Sequence, residues 1–150
     1  MPAQLNIYNA WALNVGRQVD LDTSLTVNVS LHTSAYTPNQ DTHAVFADVT
    51  NQLSTANGYT SGGQALASMT WTRSGAIATF DAADTIWTAS GGSIVARFAV
   101  LRVVGTLDTL VDPLIAWVLL DDTPADVTTT SGNTLTLQWN ASGIFRITRS

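Results

Sequence analysis

From residue 64 to its end the chain is a train of short apolar runs separated by turn signals, among them "SGA", "DAAD", "SGGS" and "SGN". Runs of this kind bounded by Gly, Asn, Asp and Ser read as strands. They predict strands near 64–73, 76–81, 84–89, 93–104, 113–121, 133–139 and 143–149. A further strand is predicted over 24–33, where Leu25, Val27, Val29 and Leu31 alternate with Thr26, Asn28, Ser30 and His32. Period two over such a stretch gives one buried and one exposed face. "IVARFAVLRVV" and "PLIAWVLL" are apolar on both faces, as central strands are, whereas "NTLTLQW" alternates cleanly. About eight strands at near-regular spacing predict a mainly β fold, a two-sheet β-sandwich with a jelly-roll connection as the leading topology. One domain over 1–150 accommodates them.

Helix is predicted in two places only. Leu5, Tyr8, Trp11 or Ala12, Val15 and Val19 recur at three- and four-residue steps, with Gly16 and Arg17 as a stop, so a short N-terminal helix over 4–16 is expected. A single helical turn is expected after Pro38, with Asp41 bonding the first amides and Val45, Phe46 and Val49 as its apolar face. The ionic composition agrees with sparse helix: all 11 acidic residues are Asp, all 6 basic ones Arg. Asp bonds nearby backbone amides and so belongs to turns and caps, whereas exposed helices draw on the missing Glu and Lys.

The same composition narrows function. A net charge of -5 with scattered arginines opposes binding to nucleic acid and to anionic membranes. Without cysteine there are no disulfides, thiolate ligands or cysteine nucleophile. "MPAQLNIYNAW" does not read as a signal peptide, and no run is long enough to span a bilayer as a helix, so a soluble chain made in a cytoplasm is expected.

The candidate chemistry begins with "SAYTPNQDTHAVFADVTNQLS", which sets Asp41, His43 and Asp48 within eight positions. Asp48 is one residue off the spacing that would put it beside His43 on a helix, so a capped turn explains the stretch better than a metal or acid-base site. His32 falls on the polar face of its strand. "DLD" at 20–22 fails the calcium-loop pattern, having Leu25 where Gly is needed and Leu31 where Glu is needed. "FDAAD" and the pair Asp121 and Asp122 read as turns at strand ends, "GYTSGGQ" and "ASGGS" as loops that lack the lysine of a phosphate site. Trp117 and Trp139 are expected in the core; Trp87, if exposed, would be a sugar-stacking platform. No catalytic, cofactor-binding or metal-ligating residue is assigned.

The segments "LNIYNAWAL", "SAYTPNQDTHAVFADVTNQL", "GYTSGGQAL", "FDAADTIWT", "IVARFAVL", "PLIAWV" and "LTLQWNASGIFRIT", in that order, resemble a family of small virion proteins of tailed bacteriophages. Within it the chain looks like the capsid decoration, or cement, proteins. The resemblance implies a β-sandwich subunit, often trimeric, that sits on the outer shell and clamps neighbouring major capsid proteins, with no catalytic motif and no cofactor. A carbohydrate-binding module of a tail or fibre is the alternative. The chain departs from the family around 11–18, where "WALNVGRQ" replaces a more charged helix, and at 24–31, where the polar face is uncharged. Contacts through those faces would rely on apolar burial and backbone hydrogen bonds.

Overall fold

In the computed structural model, which describes residues 4–14 and 25–149, the predicted N-terminal helix is divided. Leu5–Ile7 form a short strand, β1, and only Asn9–Asn14 are helical, as α1. The reason is tertiary: β1 lies antiparallel to residues 116–118, and the Tyr8 N–H reaches Ile115 O at 3.2 Å. A ladder that satisfies backbone groups outweighs the helical spacing of a few apolar side chains. The expected stop at Gly16 and Arg17 and the "DLD" turn lie outside the described residues.

The period-two run becomes β2 (Thr26–His32) as predicted. A loop carrying one 3-10 turn, Phe46–Asp48, leads to β3 (Gln64–Ala65), β4 (Thr70–Ser74), β5 (Ile77–Asp81) and β6 (Thr85–Thr88). The predicted strand over 93–104 is two strands, β7 (Ile94–Ala96) and β8 (Phe98–Val104). Between them Arg97 gives its N–H to His32 O, and its carbonyl receives the Leu120 N–H, so the chain changes layers there. A hairpin of β9 (Thr106–Leu107) and β10 (Leu110–Val111) follows, then β11 (Leu114–Leu119), β12 (Val127–Thr129), β13 (Thr134–Leu137) and β14 (Phe145–Thr148).

One layer is a five-stranded antiparallel sheet in the order β1-β11-β8-β2-β3. Facing it are three separate ladders, β14-β5-β4, β13-β6 and β12-β7. The fold is therefore mainly β and sandwich-like, but its second layer is broken where one sheet was expected, and these pairings do not establish a jelly-roll order. Side chains add further ties: Asp84 Oδ1 takes the Trp139 N–H at 2.9 Å at one end of the β13-β6 ladder, and Gln64 Nε2 of β3 gives a bond to Ile86 O of β6 at 2.7 Å, joining the two layers. The main core lies between the layers. Val27, Val29 and Leu31 of β2 and Ala99, Leu101 and Val103 of β8 meet Phe80, Trp87, Ile94, Leu135 and Leu137 from the ladders.

A second, smaller core covers the other face of the five-stranded sheet. Tyr8, Tyr36, Val100 and Leu114 form its centre, with Phe46, Val49, Phe98 and Trp117 packed around them. Alternation along β11 sends Leu114 to this core and Ile115 to the main one, and a bulge between Leu114 and Ala116 lets Ile115 and Ala116 both enter the main core.

The outer rim of β2 is closed. The Leu66 N–H bonds Val27 O at 2.8 Å, the Leu53 N–H bonds Leu31 O at 2.9 Å, and the Tyr59 hydroxyl accepts the Leu31 N–H at 3.0 Å. Gly63 lies so near this rim, at φ +76°, that a Cβ there would stand 1.9 Å from Val29 O.

Candidate functional site

The stretch that first suggests chemistry folds as a lid over the second core. Its caps differ from expectation. Asn39, not Asp41, caps the first turn, its Oδ1 accepting the N–H groups of Asp41 and Thr42 at 3.0 and 3.1 Å. Asp41 instead takes the side-chain amide of Asn9, tying the lid to α1 at 2.5 Å. Asp48 turns back on its own loop, accepting the N–H groups of Ala44 and Val45 at 2.9 and 3.1 Å. Those two bonds hold its carboxyl below the usual range.

His43 does not join either carboxylate as a ligand. Its Nδ1 lies 3.1 Å from the Tyr36 hydroxyl, which is 2.7 Å from the buried Tyr8 hydroxyl. Burial first, and then the neighbouring hydroxyl, pushes the Tyr8 phenol far up, so the pair stays neutral. With Tyr8 donating to Tyr36 and Tyr36 donating to His43, each hydroxyl proton has a partner.

His32 is where structure and sequence part most clearly. Its position on the uncharged face of β2 is as predicted, yet it is 0% exposed because the lid covers that face. Its Nδ1 is 2.9 Å from Thr50 O, an acceptor only, so Nδ1 carries the proton and Nε2 accepts from Ser30 Oγ at 2.9 Å. Burial lowers its pKa from 6.5 to about 4. The ring lies 5.3 Å from Tyr36 and 6.2 Å, edge to face, from Phe46.

Arg102, which sequence reasoning passed over inside an apolar run, is the most unusual group in this core. Its side chain is 9% exposed, its guanidinium carbon sits 3.7 Å from the centre of the Phe46 ring, and Nε and Nη1 are buried without a hydrogen-bond acceptor. The nearest carboxylate oxygen, Asp112 Oδ2, is 3.9 Å from Nε. Cation–π attraction offsets only part of the desolvation of a buried guanidinium. Replacing Arg102 by Met is therefore expected to raise stability by about 1 kcal/mol, read as a higher urea midpoint. A lower midpoint would mean that the ion pair, rather than the stem's packing, stabilises β8.

The other acidic motifs behave as turn residues. Asp81 Oδ1 accepts the Ala82 N–H at 2.9 Å, and Asp121 Oδ1 accepts the Thr123 N–H at 2.8 Å. Trp139 is buried as expected and Trp117 half-buried, but Trp87 is only 4% exposed, so it offers no stacking platform. The parity of β6 accounts for it: Thr85, Trp87 and Ala89 alternate inward while Ile86 and Thr88 point out. Among the described residues no three His, Cys, Asp or Glu side chains form a group that could hold a metal ion.

The surface hollows lie elsewhere. One of about 480 Å³ is lined by Leu5, Val118, Trp139, Phe145 and their neighbours, with Arg146 as its charged group. Two others, of about 350 and 310 Å³, flank Ile147. Neither histidine lines any of these, and the polar chain under the lid links the lid to β2 and to Tyr8. Comparison with family models, with curated proteins and with solved structures finds no match.

Proposed function

We propose that the chain is a non-enzymatic structural protein of a tailed-bacteriophage particle, which oligomerises, as a trimer, and reinforces the outer shell by clamping major capsid proteins. The observation that carries this reading is where the carboxylates go. Asp48, Asp81, Asp84, Asp112 and Asp121 each accept a backbone N–H, so the acidic groups fix loops instead of converging on a hollow. Loops pinned in this way hold a surface in one shape, and a preshaped surface loses little entropy on docking. The resemblance of the ordered segments to small virion proteins of tailed bacteriophages supplies the rest of the case.

Avidity gives the mechanism. Three linked copies of a weak shell contact hold far better than one, with no new chemistry at any contact. In size-exclusion chromatography with light scattering the protein is expected to elute as an oligomer at micromolar concentration. Added to phage heads prepared without it, it is expected to raise the temperature at which they burst. A monomer that leaves the bursting temperature unchanged would sink the proposal.

A further inference from the structure

The three-stranded ladder ends in an open edge. The Arg149 N–H bonds Ala76 O, and the register pairs Ile147 with Ala78 and Phe145 with Phe80. Antiparallel parity then turns the backbone N–H and C=O groups of Arg146 and Thr148 away from β5, and among the described residues no strand lies on that side. An edge of this kind is a template for another strand unless something blocks it.

Beside the edge runs an apolar trough. Its two hollows, about 350 and 310 Å³, share Ile147 as a common wall, with Trp11 on one side and Ala78 on the other. Ile147 is 41% exposed. The rim is basic. Arg146 belongs to the first hollow, Arg73 and Arg149 to the second, so half of the chain's 6 arginines stand at one end of one ladder. The hydrogen bonds found for Arg73 and Arg146 go to the carbonyls of Gly75 and Ser142, and the ion pairs found among the described residues involve Arg97 and Arg102. In a protein of net charge -5 this is a local concentration of positive charge, and among the described residues no ion pair joins these three arginines to a carboxylate.

We propose that the β14 edge and its trough receive an extended acidic segment of a partner protein, added to the ladder as a further strand. Main-chain bonds to Arg146 and Thr148 would supply affinity, and alternate apolar side chains would enter the trough on either side of Ile147. Charge selects the partner. A second copy pairing through its own β14 would bring Arg146 and Arg149 of both copies together, and like charges across a strand pair repel. The inference concerns the chemistry of the occupant and stands whether or not the shell assignment does.

The test uses the full chain and two capped heptapeptides, Asp and Val alternating or Lys and Val alternating. Binding of the Asp peptide is expected to be detected by calorimetry and to slow hydrogen exchange at the Arg146 and Thr148 amides. Ile147→Asp should abolish binding while lowering the urea midpoint of the free protein only modestly, since a half-covered β-branched residue is lost from the strand. Arg146→Glu with Arg149→Glu should weaken the Asp peptide about tenfold, the scale of two reversed surface pairs, and favour the Lys peptide. Equal binding of the two peptides to the native chain, or unchanged exchange at both amides, overturns the proposal. So does protection of those amides that rises with protein concentration in the absence of peptide, since the occupant would then be a second copy.

Discussion

Gly63→Ala is expected to lower the free energy of unfolding by about 3–4 kcal/mol, the severe end of single substitutions. The loss has two parts. A left-handed backbone at φ +76° costs an alanine about 1 kcal/mol. The larger part is collision: the new Cβ would lie 1.9 Å from Val29 O and 2.8 Å from Ser30 Cα, both backbone atoms of a central strand. Relief requires β3 to leave β2, which breaks the pairs Asn28 with Ala65 and Val29 with Gln64. Gly75→Ala is the control, since its φ is +58° but nothing lies within 4 Å of the added carbon. Urea midpoints should fall slightly for Gly75→Ala and steeply for Gly63→Ala. Equal losses would show that backbone conformation alone matters at residue 63.

The second large effect is on acid. His32 titrates near pH 6.5 when unfolded and at about 4 when folded, so between those values the unfolded chain binds more protons. Stability is thus full above pH 6.5 and falls as pH drops toward 4, where the folded ring also takes up its proton. A difference of this size amounts to about 3 kcal/mol. Burial beneath Tyr36 and Phe46 opposes the imidazolium most, and the Arg102 guanidinium adds a like charge, while the Thr50 carbonyl, which accepts from Nδ1, favours the charged ring and offsets part of this. Asp48, whose carboxyl is held low, loses its stabilising charge only at more acid pH, so the two effects separate. Urea midpoints of the native chain should decline from pH 6.5 to 4, while His32→Gln should hold a nearly flat profile across that interval. A parallel decline in the variant would assign the acid sensitivity to other groups.

Much of this fold is legible in the residues. The alternation from Leu25 to His32 gives the inward face of β2, and "NTLTLQW" gives Leu135, Leu137 and Trp139 as core. What periodicity cannot say is what lies on the other side of a strand. His32 and Ser30 occupy the uncharged face as predicted, but a lid some dozen residues along the chain buries them. Three-residue strands carry no period, which is why β1 is hidden in a helical spacing and β12 in "VTT". The links around the broken second layer are equally hidden, because Asp84, Asn57 and Gln64 bond the backbone through side chains, and such bonds follow no repeat. Arg102 is invisible for the opposite reason: inside "FAVLRVV" a single arginine looks like an outward residue, and only the packing of Phe46 over it shows otherwise.

The closed rim of β2 also bears on how copies of this molecule can meet. With Leu53, Tyr59 and Leu66 already bonded along that border, a strand from a sister molecule finds the Val27 and Leu31 backbone groups there taken. It cannot add to β2 without first displacing these residues, so copies that meet at that margin do so through side chains and not through a ladder shared with β2.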